Sequence, residues 1–308
     1  MTKKHSPAEE RRAAVSTDWR HERGPFDFIG DVHGCTDELI ALLEKLGYTA
    51  RLEGTGDDRR AITTAPKGRR AVFVGDLIDR GPASPDALRI AMDMVESGHA
   101  LMILGNHDDK FLRWLKGNTV KIGAGLERTI SQLEGEGDGI KTRAQAFLAT
   151  LPSHAWLDGG SIAVAHAGIR ESMLGRNFPR ARDFGLYGET SGRVDANGVP
   201  ERFNWAADYR GPVPVIFGHT PVQEPEWQNN TLCIDTGCVY GNTLTALRWP
   251  ERELVSVPAN ESHAKLKRGF GLPPPRPVFD PATAKIVPVP DTPDEVEPQQ
   301  PDSRPKVG

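Results

Sequence analysis

The chain has 308 residues, 38% of them hydrophobic and 26% charged, enough to bury a sizeable core with no disulfide or metal needed merely to fold. A formal net charge of -4 excludes a generally basic nucleic-acid coat, predicts no stable nucleic-acid complex and argues against docking on an anionic membrane. No run of 18 apolar residues occurs, residues 1–25 hold no apolar signal core, and only Cys35, Cys233 and Cys238 carry thiols, so a cytoplasmic protein with buried packing cysteines is expected.

Residues 1–25 read as a polar tail. Short β-branched runs flanked by glycine then predict strands at 26–29, 71–74, 100–104, 162–165, 213–217, 231–234, 243–247 and 253–257. Thr36-Asp37-Glu38 is a capping-type start for a helix carrying Leu39, Ile40, Leu42, Leu43 and Leu46. Ser84-Pro85-Asp86 opens a second helix with Leu88, Ala91 and Val95 on one face and Gly98 as its stop. This alternation predicts one α/β domain over 26–258, whose later strands, without helices between them, turn mixed or antiparallel. Residues 116–145, polar with sparse apolar positions, predict a helical insertion over the site. The basic groups Arg59-Arg60, Lys67-Arg69-Arg70 and Lys265-Lys267-Arg268 read as solvated surface. Residues 259–308, proline-rich and acidic-polar above all after Gly271, read as a disordered tail whose partner, if its prolines have one, the sequence does not name.

The chemistry lies where the predicted strands end. The first ends in Gly30-Asp31-Val32-His33-Gly34, the second in Gly75-Asp76-Leu77-Ile78-Asp79-Arg80-Gly81 and the third in Gly105-Asn106-His107-Asp108. Two more end in His166-Ala167-Gly168 and Gly218-His219-Thr220. Ligands of open α/β sheets bind just beyond the carboxyl ends of the strands, so these five corners are expected to meet. Asp31, His33, Asp76, Asn106, His166 and His219 then offer nitrogen and oxygen ligands of the kind that suit manganese, iron, zinc or cobalt rather than calcium. Six ligands are too many for one tetrahedral ion with an open position and suit two divalent ions sharing a carboxylate, for which Asp76 is the natural bridge. Two such ions outweigh two carboxylates and a bridging hydroxide, leaving a net positive site that attracts a phosphoryl group and attacks it with metal-held hydroxide. His107 is placed to protonate the leaving oxygen, Asp79 to fix the His107 tautomer, and Arg80, with Asn106, to hold phosphate oxygens. Arg170, four residues after His166, is a candidate second phosphate contact.

At these residues the sequence resembles the calcineurin-like metallophosphoesterases. Asp-x-His-Gly, Gly-Asp-x-x-Asp-Arg-Gly, Gly-Asn-His-Asp, His-Ala-Gly and Gly-His-Thr stand in that family's order across 26–258. The resemblance implies two packed mixed β-sheets flanked by helices and a binuclear centre. It implies manganese first among the candidate metals, with iron, zinc, nickel or cobalt as alternatives. Phe203-Asn204-Trp205, Asp208-Tyr209-Arg210-Gly211, Gly218-His219-Thr220-Pro221-Val222 and Cys233-Ile234-Asp235-Thr236-Gly237-Cys238 are similar to the phosphatase domain of bacterial polynucleotide kinase–phosphatases and to the dinucleoside-tetraphosphatase group. That likeness implies an active-site role for Asp235, either substrate-binding or supporting the ligands from behind. The chain has no Gly-Lys dipeptide and so no phosphate-binding P-loop, which makes it a phosphatase module standing alone.

The expected function is hydrolysis of a small phosphorylated, nucleotide-like substrate: a dinucleoside polyphosphate, a nucleotide or an RNA end. A serine/threonine protein phosphatase is the alternative, weakened because Leu104, not arginine, precedes Gly105 and Asp108, not glutamate, follows His107. An inactive metal-binding scaffold that recruits a partner through the proline-rich tail is a third reading. The intact His107, Asp79 and Arg80 argue against it, because a pure binder needs no proton donor.

Overall fold

The computed structural model describes residues 15–194, 200–280 and 285–287. The first long strand-forming run, Phe26-Asp27-Phe28-Ile29, is buried at every position, which is the pattern of a strand covered on both faces, and its one charged residue, Asp27, is paired with Arg69. It becomes β2 (Phe26–Ile29), preceded by the two-residue β1 (Asp18–Trp19). Then come α1 (Thr36–Leu46), the hairpin β3 (Thr49–Glu53) and β4 (Arg60–Thr64), β5 (Arg70–Phe73), α2 (Ser84–Glu96) and β6 (Ala100–Met102). Three helices follow: α3 (Asn106–Leu115), α4 (Ala124–Glu134) and α5 (Asp138–Leu148). The second half holds β7 (His154–Leu157), β8 (Ile162–Ala165), α6 (Pro179–Tyr187), the hairpin β9 (Glu189–Val194) and β10 (Pro200–Phe203), and β11 (Val215–Phe217). It closes with β12 (Trp227–Gln228), β13 (Thr231–Cys233), β14 (Thr243–Trp249), β15 (Glu253–Pro258), β16 (Val278–Asp280) and β17 (Lys285–Val287).

Two sheets carry the fold, one in the order β15-β14-β2-β5-β6 and one in the order β1-β7-β8-β11-β13-β12. Strands β2, β5 and β6 run parallel in the first, and β8, β11 and β13 run parallel in the second. Antiparallel partners complete both: β14 and β15 on the first, and β7 and β12 on the second. Phe26, Phe28, Val72, Val74 and Ile103 of the first sheet meet Leu157, Ile162, Val164, Ile216 and Leu232 of the second in one buried layer. A larger cluster packs α1, α2 and the α4–α5 pair on the outer face of the five-stranded sheet, and a smaller one packs α6 and Trp205 on the outer face of the six-stranded sheet. The result is the expected pair of packed mixed sheets between helical layers.

Several expectations need correction. The N-terminal tail ends earlier than residue 25, because Asp18–Trp19 pairs in parallel with Trp156 and Leu157 and Thr17 is buried; residues 1–14 lie outside the described set. Thr36 does not cap α1, since its hydroxyl donates to the Ala83 carbonyl and Cys35 takes the cap position with no side-chain bond. A helix, α6, does stand between the later strands; its nine residues bury only Ala181, Phe184, Gly185 and Leu186, too sparse a stripe to read from periodicity. The insertion at 116–145 is a helical pair, yet Leu126, Leu133, Ile140 and Ala144 join the main core, so it is part of the domain wall rather than a separate cover.

The expected disordered tail from 259 is also corrected over its first part. Ala259 donates its N–H to Asn242, Asn260 donates to the buried Glu38 carboxylate, and Ser262 pairs with Tyr240. Farther on, Gly271 donates to Pro221 and Pro274 accepts from Asn204. Proline content alone misjudged this stretch, because its order comes from backbone bonds to the domain rather than from apolar burial of its own. The strands β16 and β17 pair antiparallel, and residues 281–284 and 288–308 lie outside the described set.

Candidate active site

All five corners lie past the carboxyl ends of parallel strands: β2, β5 and β6 in one sheet, β8 and β11 in the other. The backbone there is strained for function. His33, Asp76, Asp79, Arg80 and His219 all have positive φ, between 47° and 75°, a region costly for side chains with a Cβ. Two glycines admit this crowding. A Cβ on Gly105 would sit 2.2 Å from the Asp76 N and Oδ1 atoms, and one on Gly218 would sit 2.0 Å from Asp31 Oδ1.

Asp76 is the hub. It is 2% exposed, and its Oδ2 lies 3.3 Å from His166 Nε2 and 3.6 Å from His33 Nε2. Two groups of candidate ligand atoms share it, His33-Asp76-His107 and Asp76-His166-His219, with each group's atoms within 4.8 Å of one another. His33 donates Nδ1–H to the Ile78 carbonyl at 2.7 Å and His166 donates Nδ1–H to the Val74 carbonyl at 3.0 Å. Both tautomers are thereby fixed with Nε2 facing Asp76, the outer-partner arrangement of metal-binding histidines. His166 Nε2 also stands 3.0 Å from Asn106 Oδ1 and 3.1 Å from His219 Nδ1. Asp31 accepts the His219 backbone N–H through Oδ2 at 3.0 Å, whereas Asp31 Oδ1 and His219 Nε2 are buried with no hydrogen-bond partner. Orphaned acceptors are costly in an interior and need an explanation; a pair of cations supplies one.

The electrostatics fit cations as well. Burial, with Asp235 and Asp76 beside it, holds the Asp31 carboxyl well above the usual range. Burial also acts on Asp76, but His166, His107 and His33 overcome it and hold that carboxyl well below the usual range. Burial and the Arg80 guanidinium push His33 down; burial with Arg202 and His166 does the same to His219. Buried carboxylates and neutral imidazoles in such density form a donor set suited to divalent transition ions, and the residues fit that group.

Beside the hub stand the groups expected to handle the phosphate. His107 faces Asp79 Oδ2 through Nδ1 at 2.5 Å, and its Nε2 accepts from Arg80 at 2.8 Å. Asp79 is itself held by the Thr129 hydroxyl of α4, at 2.8 Å from Oδ1. Arg80 donates to His33 Nε2, lies 5.7 Å from the centre of the Tyr240 ring, and has its backbone carbonyl bound by Arg128.

The two other candidates for substrate contact are placed less directly. Arg170 pairs with Glu189 at 2.8 Å and lies over Phe184; it lines a cavity with Glu189 and Arg202, which in turn line a second cavity with His219, so it stands one cavity away from the candidate ligands. Asp235 is 3% exposed, with Oδ1 accepting from Gly237 N–H at 3.0 Å; burial raises its carboxyl to about 6, and its charge bears on Asp31. Its burial and its turn bond match the second of the two roles that the likeness implies, support from behind the ligands.

Two residues escaped the sequence reading. Asp108, fully buried, accepts N–H bonds from Asp76, Leu77 and Gly105 and so shapes the loop that bears the hub; burial and the Asp76 charge raise its carboxyl to about 7. It had been in view within Gly-Asn-His-Asp without a role. Arg202 on β10 lines cavities next to His219, Thr220 and Arg80, and its Nε is buried without a partner. Burial and the charges of Arg268 hold its guanidinium below the usual arginine range. Nothing in a short polar hairpin sequence marks such a residue as inward-facing.

A packed α/β/β/α domain with paired histidine–carboxylate clusters at its strand ends defines a metal-dependent hydrolase of phosphate esters. The chain belongs to the calcineurin-like phosphoesterases, whose family model matches residues 24–248. It is a phosphoester hydrolase of that family, which works with divalent metal ions. It is 42% identical over 238 residues to bis(5'-nucleosyl)-tetraphosphatase PrpE [asymmetrical] of Anoxybacillus flavithermus, covering 76% of this chain and 94% of that one. It is 43% identical to the protein of the same name from Bacillus subtilis, covering 76% and 95%. A solved structure provisionally assigned as a diadenosine tetraphosphatase shares the fold, with a TM-score of 0.57 at 24% identity over 80% of this chain and 98% of that one. Among the described residues no helix is long and apolar enough to cross a membrane.

Proposed function

We propose that the chain hydrolyses dinucleoside polyphosphates, cutting the bridge of a bis(5'-nucleosyl) tetraphosphate asymmetrically into a nucleoside triphosphate and a nucleoside monophosphate. The observation that carries this reading is the pair of ligand clusters sharing Asp76, set beside His107 and two arginines, in a chain that spans nearly all of relatives bearing that activity in their name. The catalytic domain is 26–258, with Asp31, His33, Asp76, Asn106, His166 and His219 holding two ions, manganese in the cytoplasm being the resident metal we favour. When bound, the ions supply an activated water and neutralise charge on the phosphoryl oxygens.

The chain's own residues do the rest. Arg80 and Arg202 approach the site from two sides and hold the phosphoryl oxygens, a task to which the planar guanidinium is suited. His107 carries the proton for the departing oxygen at Nε2, the nitrogen that Arg80 gives up when it turns to the phosphoryl oxygens. Asp79 accepts from the His107 Nδ1–H and fixes the ring. Thr129 keeps Asp79 in place from α4. Asn106 is neutral, which preserves the positive balance of the site.

The test is a substrate panel on metal-loaded protein: bis(5'-adenosyl) tetraphosphate, a mononucleotide, a 2',3'-cyclic nucleotide and a phosphopeptide. The reading expects the tetraphosphate to have the highest kcat/KM and to give ATP and AMP. Two ADP molecules as product, or a phosphopeptide turned over faster, would overturn it.

A further inference from the structure

The segment after β15 does not stay in solvent. It is tied down before and after a short basic span: His263 and Ala264 donate to Val239 on one side, and Gly271 donates to Pro221 on the other. Phe270 closes the span against Gly237, where a Cβ would sit 2.6 Å from its ring. Between these anchors lies Lys265-Leu266-Lys267-Arg268. The family match ends at residue 248 and leaves this segment out.

Both lysines face the site. They line a cavity of about 560 Å³ together with Asp79, Arg80, His107, Lys110 and Arg128, and a second of about 350 Å³ with Arg80, Arg202, His219 and Tyr240. Asp79 is the sole carboxylate among these lining residues, and it is engaged by His107 and Thr129. Lys265 and Lys267 are exposed and have no hydrogen bond or ion pair with any described residue. Three arginines of the other basic groups are engaged by carboxylates, Arg59 by Asp86, Arg69 by Asp27 and Glu251, and Arg70 by Glu22, and none of those groups lines either cavity. Unpaired cations gathered beside a phosphate-cleaving centre focus a positive field where a long phosphate chain has negative charge to place. A single phosphoryl group held at the hub does not need them.

We infer that Lys265 and Lys267 complete, with Arg80, Lys110 and Arg128, a subsite for the phosphoryl groups beyond the one that is cleaved, so that the C-terminal segment selects substrates by the length of their phosphate chain. This deepens the function proposed above and rests on it. The span acts by binding, and no proton or bond changes hands there.

The experiment uses the full chain loaded with divalent metal, at fixed free metal concentration. Inorganic tripolyphosphate and orthophosphate compete against p-nitrophenyl phosphate hydrolysis, and calorimetric titration of both anions gives their affinities without turnover. The wild type should prefer tripolyphosphate. Lys265→Ala/Lys267→Ala should weaken tripolyphosphate about tenfold, the sum of two exposed charge contacts of ordinary strength. Orthophosphate should weaken by less than about threefold, since it meets at most one of them. Lys265→Arg/Lys267→Arg should keep the preference. Arg51→Ala/Lys141→Ala, which removes equal charge away from both cavities, should leave it intact. Equal weakening of both anions, no weakening, or the same loss in the remote double variant would each sink the subsite. A wild type that ignores bis(5'-adenosyl) tetraphosphate while the lysine variant still loses tripolyphosphate would break the substrate reading and leave the subsite standing.

Discussion

The two sheets furnish the site in unlike ways. The five-stranded sheet supplies Asp31, His33, Asp76, Asn106 and His107 on three adjacent parallel strands, and behind them a dense set of polar supports. Asp108 binds the hub loop by three N–H bonds, Thr129 binds Asp79, and Gln132 accepts from Ser84 and donates to Gly81 and Pro82. The six-stranded sheet supplies His166 and His219 from corners whose support is mostly backbone. Each half leaves one buried ligand atom without a partner, Asp31 Oδ1 on the first and His219 Nε2 on the second, so what separates them is the bracing: side chains hold the first half stiff, and backbone bonds hold the second. Under the proposed function, proton handling falls to the half with the side-chain braces, where a tautomer must be held.

Breaking the hub tests this division most severely. Asp76→Asn removes the one carboxylate common to both clusters. It should lower kcat/KM at least about a hundredfold and reduce bound metal, read by elemental analysis; outer partners alone cost 10–100-fold. His219→Ala strikes only the half with the orphaned nitrogen, so it should release one equivalent of metal and spare the other. Loss of both ions from His219→Ala would show that the halves are not separable.

His107→Asn comes next. Losing a proton donor should cut the rate by about 10²–10⁴ for an alkoxide or nucleotide leaving group while metal content holds. For p-nitrophenyl phosphate, whose leaving group needs little protonation, the loss should be much smaller. Equal losses would remove the donor role and leave His107 as a metal-cluster residue.

The same contrast explains how far the sequence could be read. The rigid half announces itself because one short loop after each strand must carry ligand, turn and support together, which forces compact motifs such as Gly75-Asp76-Leu77-Ile78-Asp79-Arg80-Gly81. His166 and His219 were found at isolated glycine corners only because the first three motifs gave them a context. For Arg170 the sequence could not show its partner: its guanidinium is held by Glu189, nineteen residues on, at the edge of a cavity shared with Arg202. Arg202 is silent in the sequence, and Lys265 and Lys267 read there as solvated surface, because the placement of all three is long-range. Arg202 sits on a hairpin whose local pattern is polar, and Lys265 and Lys267 lie past the family match, which ends at residue 248.

The six-stranded sheet also carries an acid-sensitive group away from the chemistry. His154 on β7 is 1% exposed with Nε2 unpartnered, and burial lowers it to about 4. The folded protein therefore keeps it neutral, while the unfolded chain takes up a proton below about pH 6.5. Between those values the unfolded state binds more protons, so stability falls as pH falls from about 6.5 to about 4, by roughly 3 kcal/mol from this residue at the lower end. Urea unfolding of wild type and His154→Leu at pH 7.5 and pH 5 should show the variant with the shallower acid loss. An identical pH dependence would assign the acid sensitivity elsewhere.

The finest probe of the stiff half is Thr129→Val, which keeps shape and removes the hydroxyl that donates to Asp79. Because Thr129 acts through Asp79 and then His107, its loss should lower kcat by about tenfold, the low end of what outer partners cost, with KM little changed. The leaving group distinguishes this from a general loosening. The loss should be larger for a nucleotide leaving group than for p-nitrophenyl phosphate, as for His107→Asn, and Thr129→Ser, which keeps the hydroxyl, should restore kcat. A variant that lost both substrates equally, and that serine did not rescue, would reduce Thr129 to a packing residue and weaken the view that α4 helps orient His107 across the helix–loop contact.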